Sequence, residues 1–202
     1  KWCVTKDYLA PTHRFNEVLG KEATNEAAPK IITPTQFQKL LCSSPVELLP
    51  YIVIAGFAGA RRSEILRLNW EYIWRVKKQI ELEPHLTKTK KRRFIEMQPA
   101  LRKWLRPWKR QKGAVWTGTI DQFDYAFTKL MEANGLPGHN LLRHSYASYR
   151  LAQTQNAPKV ALEMGHSVDK LFSNYREAVA PKAAKQWFSI TPSEAAENII
   201  AA

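Results

Sequence analysis

The 202-residue sequence predicts a mainly α domain carrying a small antiparallel β-sheet, an α+β arrangement. Three observations lead there. Apolar residues recur at helical spacing in most segments, most clearly Phe123, Phe127, Leu130 and Met131. One stretch, residues 72–97, shifts to short runs of aromatic and β-branched residues that suit strands. With 45% of residues hydrophobic, the chain can bury a packed core.

The elements follow in order. Residues 1–20 hold one short helix at most, with Trp2 and Val4 apolar and Pro11 breaking it. Residues 21–30 are small and polar and end in Pro29-Lys30, the composition of an interdomain linker. A first residue of Lys1 rather than Met is expected of a piece of a longer protein. The main domain is expected over 31–190. Thr33 caps its first helix, with Pro34 at the first helical position, Gln36 at the capping-box position and Phe37, Leu40 and Leu41 on the apolar face. Residues 47–58 are apolar enough for a buried helix, and Gly59 breaks it. Ser63 is expected to cap a helix running to Trp70. Arg61 and Glu64, three apart, let the carboxylate orient the guanidinium. Strands are expected around Tyr72, Trp74 and Val76, then Ile80 and Leu82, then Phe94, Ile95 and Met97. Thr87 to Arg93 makes a basic hairpin tip between them. Helices follow at 99–108 and 120–134, the latter closed by Asn134-Gly135. Asn140 then caps a helix over 141–153. Pro158 opens a helix ended by Gly165, Val168 to Ala178 holds Tyr175, and 181–188 and 192–202 complete the chain.

Charge narrows the partner. Lys and Arg number 31 against 18 acids, a formal charge of +13, which favours a polyanion: nucleic acid first, an anionic membrane surface second. Cys3 and Cys42 lack any paired-ligand spacing, which argues against a disulfide scaffold and a cysteine-bound zinc and suits a reducing compartment. No apolar run approaches the ~20 residues of a membrane span, and no signal peptide is recognisable.

Four patches stand in one order: Gly59-Ala60-Arg61-Arg62-Ser63-Glu64-Ile65, Thr87-Lys88-Thr89-Lys90, Leu142-Arg143-His144-Ser145, and Gly165-His166-Ser167 with Tyr175 nine residues after the histidine. Together they resemble the catalytic domain of tyrosine recombinases, the phage-integrase family. The likeness covers about Ile31 to Phe188. It implies the fold of the DNA breaking–rejoining enzymes and cleavage of duplex DNA through a 3′-phosphotyrosyl bond, with no metal and no cofactor. Residues 1–20 would then be the remnant of a preceding core-binding domain.

The resemblance implies roles whose chemistry can be stated residue by residue. Cutting a phosphodiester without a metal needs a nucleophile, neutralisation of the phosphate oxygens and an acid for the leaving oxygen. Tyr175 is the nucleophile. Arg61 and Arg143 grip the phosphate, their planar forks matching two non-bridging oxygens, with Glu64 orienting Arg61. Lys88 is the general acid, with Lys90 and Lys91 its rivals. His166 hydrogen-bonds the phosphate and assists proton transfer, whereas His144 is a buried structural histidine. Arg62, Lys90, Lys91, Arg92 and Arg93 are expected DNA contacts. The family usually has a histidine three residues before the second arginine. Asn140 stands there and His139 lies one step earlier. An amide can donate to a phosphate oxygen but cannot act as a base at neutral pH.

Further expectations come with the family: a homo-oligomer that is tetrameric on DNA, an accessory directionality protein, no membrane, and a cytoplasmic, nucleoid-associated setting in a bacterium or phage. The reaction would integrate or excise a mobile element, and the tail 191–202 would pass between protomers. The rival readings are a type IB topoisomerase and a DNA-binding protein or degenerate integrase without cleavage activity.

Overall fold

The computed structural model of the chain describes residues 30–88, 90–137, 140–169, 171 and 179–193. The expected helix at 1–20, most of the linker at 21–30 and the tail helix beyond Ser193 fall outside the described residues, as do His139 and Tyr175.

Helix α1 (Pro34–Ser43) starts as the sequence predicts. Gln36 N–H donates to Thr33 Oγ1 at 3.2 Å, and the Gln36 side-chain oxygen accepts the Thr33 N–H at 2.9 Å. This reciprocal cap satisfies two of the donors that a helix start leaves open. Helix α2 (Leu49–Ala58) is buried on every side, as its unbroken apolar sequence requires. Gly59 ends it at φ 60°, and a Cβ there would lie 2.2 Å from the Tyr146 ring. Only glycine meets both conditions.

The next stretch departs from expectation twice. A single helix from a Ser63 cap to Trp70 does not form. A four-residue turn of helix, α3 (Arg62–Ile65), starts instead after Arg61, whose backbone N–H donates to Glu64 Oε2 at 2.8 Å. A second short helix, α4 (Trp70–Trp74), occupies the place given to a strand through Tyr72 and Trp74. Trp70 and Ile73 explain it: they are three apart and both buried, which is helical spacing. Backbone bonds from Val115 N–H to Leu68 O (2.8 Å) and from Trp70 N–H to Gly113 O (2.9 Å) pin the chain between the two helices.

Strand β1 (Gln79–Leu82) pairs antiparallel with β2 (Arg93–Glu96), with Gln79 opposite Glu96 and Leu82 opposite Arg93. The loop 83–92 leaves one end of this hairpin. At the other end Met97 N–H donates to Lys78 O at 2.8 Å. Then come α5 (Pro99–Leu105) with a 3₁₀ turn (Arg106–Trp108), α6 (Ile120–Ala133), α7 (Leu141–Thr154), α8 (Ala157–Met164) and α9 (Pro181–Trp187). Thr119 gives α6 the same reciprocal cap with Gln122.

Helix α7 is the hub, packing against α2, α8 and α9. The core is aromatic where these meet. The Trp187 ring lies stacked between Phe37 (centroids 4.1 Å apart) and Tyr149 (4.4 Å), and its indole N–H donates to Gly56 O at 3.0 Å. A Cβ at Gly56 would lie 2.2 Å from Phe37, so this glycine lets the ring in. Phe188 and Ile190 are buried behind it, and the Trp104 indole donates to Ile190 O. Among the described residues, no helix is long and apolar enough to cross a membrane.

Candidate active site

The site is assembled at the end of α8. Gly165 closes that helix in the left-handed region, at φ 63°. This exposes two successive carbonyls, and an arginine takes each. Arg143, from the first turn of α7, donates to Met164 O at 2.7 Å and also to Gly59 O. Arg61, at the start of α3, donates to Gly165 O at 2.6 Å. Two guanidinium groups remote in sequence thus flank one turn. The next residue, His166, places Nε2 2.8 Å from Arg143 Nη2. A guanidinium can only donate, so Nε2 accepts in this contact.

Glu64 holds the arginines in place from beneath. Its side chain is buried; Oε1 accepts from Arg61 Nη1 at 2.8 Å and Oε2 from Arg93 Nη2 at 2.6 Å. Burial alone would raise its pKa, but the Arg93 charge and hydrogen bonds from Arg61 and Arg93 outweigh that and hold it below the usual carboxylate range. The expectation that Glu64 orients Arg61 fits these contacts.

Arg93 sits elsewhere than expected. Sequence reading groups it with the exposed basic tip, yet it is buried on the first position of β2. Burial pulls its pKa down, Glu64 opposes that, and the like charge of Arg61 adds to the fall. A Cβ on Gly165 would lie 2.1 Å from Arg93 Nη1, so this guanidinium presses on the turn that carries His166. The sequence does hold a signal for it. In a strand alternate side chains share a face, and Arg93 shares one with the buried Ile95.

The other predicted contacts separate. Lys88, Lys90, Lys91 and Arg92 are exposed on the 83–92 loop, Arg92 pairing with Glu81 and Glu83. Arg62 is ion-paired with Asp124 and lies over the Phe123 ring. Asn140 occupies the N-cap position of α7 at φ 65° but makes no side-chain cap bond, which corrects the expected capping role. Left-handed φ is more accessible to Asn than to most residues. It is exposed and lines a small recess with Arg62 and Arg143. His144 is half-buried, and burial with the Arg143 charge lowers its pKa below 6.5. A second network, which the sequence does not suggest, backs the site. Glu163 accepts two hydrogen bonds from Arg150 (2.8 and 3.0 Å) and one from Tyr146 (2.8 Å), and Arg150 reaches Glu96 on β2 at 2.8 Å. It ties α7, α8 and β2 into one frame.

No protein-family model and no curated protein matches the sequence. Solved structures match the fold. The crystal structure of XerA recombinase superposes with a TM-score of 0.62 at 15% identity, covering 80% of this chain and 65% of that one. The integrase from mycobacterium phage Brujita gives 0.61 at 14%, covering 100% and 72%. The Tn1549 transposon integrase, solved with a circular intermediate DNA, gives 0.60 at 18%, covering 91% and 73%. The chain therefore has the fold of the tyrosine recombinase catalytic domain. It spans 65% of the XerA recombinase chain and 50% of the XerH recombinase chain solved on its difH substrate.

Proposed function

We propose that this chain is the catalytic part of a site-specific DNA recombinase that cuts and rejoins duplex DNA through Tyr175. One observation carries the reading: Arg61 and Arg143 are fixed on successive carbonyls of the turn that presents His166. That arrangement suits a phosphodiester, whose two non-bridging oxygens match two planar donors. Fixed donors stabilise the charge that develops on those oxygens without reorganising during the reaction.

In the proposed reaction the Tyr175 oxygen attacks phosphorus and its proton passes to His166 or water. The bond from phosphorus to the 5′ oxygen breaks, and Lys88 donates a proton to that oxygen. A 3′-phosphotyrosyl bond and a free 5′-hydroxyl result. Attack by a second 5′-hydroxyl reverses the steps and joins the strands. Asn140 contributes an amide donor in place of the imidazole usual at this position. Lys90, Lys91 and Arg92 supply backbone contacts around the loop of Lys88. The wider expectations belong to this proposal: a core-binding domain ahead of residue 21, a tetramer on DNA, exchange of the tail 191–202, a directionality partner, and integration or excision of a mobile element in a bacterial or phage setting.

A nicked duplex whose cleaved end diffuses away tests this. Wild type is expected to form a denaturant-resistant protein–DNA adduct that Tyr175→Phe lacks; no adduct from wild type would leave only a DNA-binding protein. The exposed amide of Asn140 is the observation favouring that second reading. Relaxation of supercoiled plasmid by a monomer, without strand exchange between duplexes, would point to a topoisomerase.

A further inference from the structure

At the end of the hairpin opposite the Lys88 loop lies a groove of about 710 Å³, lined by Trp74, Val76, Met97 and Pro99 and by cations. Lys77 and Lys78 come from the turn into β1, and Arg102, Lys103, Arg106 and Lys109 from α5 and the 3₁₀ turn. All six are exposed. A seventh cation, Arg75, is taken by Glu81 and Glu83. None of the ion pairs among the described residues engages the other six, and no acid lines the groove.

We propose that this groove is a second contact surface for a nucleic-acid backbone, separate from the arginine pair. Like charges gathered over an apolar floor, with no carboxylate to answer them, repel one another and are stabilised by a polyanion. Spacing favours a phosphate chain. Arg102, Lys103, Arg106 and Lys109 lie along a helical run on the order of 10 Å long. A duplex places one phosphate per strand in about each 3.4 Å of its axis, so roughly three fall within that run. Lys78 adds a backbone sign. It sits at φ 63°, where Gly or Asn is less strained, yet it presents a lysine to the groove. Exposed long cations without hydrogen-bond geometry fixed by neighbours read charge and not base sequence.

The proposal rests on DNA being the partner, and its test separates the two ideas. The 202-residue chain is titrated with a fluorescent duplex of unrelated sequence at several salt concentrations. The comparison is a variant carrying Lys77→Ala, Lys78→Asn, Arg102→Ala and Lys103→Ala, whose exposed positions leave the core untouched; an unchanged melting curve checks the fold. Every phosphate that the variant fails to neutralise lowers the slope of log K against log salt by about 0.9, so the expected fall is about 2 to 4. Adduct formation on a short nicked duplex is expected to persist. A slope equal to wild type overturns the groove while leaving the recombinase reading intact. Loss of poly-glutamate binding with an unchanged DNA slope makes it an acidic-protein surface and overturns it too. Failure of wild type to bind any duplex removes both.

Discussion

Two oxygens of Glu64 serve three donors: Oε1 takes Arg61, while Oε2 takes Arg93 and the Arg61 backbone N–H. Removing a buried carboxylate leaves buried guanidinium charge uncompensated, at a cost of about 3–5 kcal/mol. Glu64→Ala should show that loss in urea unfolding, and Glu64→Gln, which keeps one acceptor, should lose less. Gly165→Ala is expected to act differently. Its left-handed φ costs about 1–2 kcal/mol for a residue with a Cβ, and the methyl would also push on Arg93. If Arg93 positions this turn, covalent adduct yield should fall more than stability does; an adduct yield equal to wild type would remove Arg93 from the site. The Arg61–Glu64 pair is legible in the sequence because residues three apart across a helix start, here the N-cap and the third helical position, come together. Arg93 is legible only in part: its alternation with Ile95 marks a buried face, but a run of four cations looks solvated until its partner 29 residues upstream is known.

The elements carry the site by how they end. Helix α8 stops in the left-handed region and so offers two carbonyls; α7 starts beneath them and delivers Arg143. Helix α9 fixes α7 through the stacked Trp187, so Trp187→Ala should cost about 3–5 kcal/mol in chemical denaturation. It should also lower adduct yield indirectly, with no change in pH profile. The 83–92 loop makes a separate prediction. Lys88 is exposed there, beyond the core, so Lys88→Ala should leave stability unchanged and slow cleavage by about 10²–10⁴-fold. A substrate with sulfur at the leaving 5′ position needs no proton there and should restore the rate; continued slowness would deny Lys88 the acid role. Helices with caps and amphipathic faces, such as α1 and α6, are legible from sequence. At α3 the sequence points to a helix but overextends it to Trp70, and α4 is read as strand because five residues show too little of a period to separate the two.

At the scale of the molecule, the ion-paired acids and the outward-facing bases among the described residues have different duties. Glu64, Glu96 and Glu163 are absorbed in pairs with Arg61, Arg93, Arg150 and Lys159, while the cations of the 83–92 loop and the basic groove face outward. The net charge is legible at once; its sorting is not, because it depends on which acids the fold buries. Acid should therefore undo the protein in two steps. His144 has its pKa lowered from 6.5, so the folded state prefers it neutral while the unfolded chain binds a proton first. Its contribution is complete above pH 6.5 and declines as pH falls below that value. Glu64 and Glu96 are held below 4.5 by their cationic partners, although burial works against the shift. Their contribution is complete above pH 4.5 and is lost as pH falls through their folded values, where the unfolded chain takes up protons first. Denaturant midpoints measured from pH 8 to pH 3 should thus show a shallow decline beginning near 6.5 and a steeper one below 4.5. His144→Gln should remove the first step and Glu64→Gln should flatten the second. A second step that stays as steep in Glu64→Gln would mean that the carboxylate does not hold the arginines as its contacts imply. The site frame would then rest on the Arg150–Glu163 network alone.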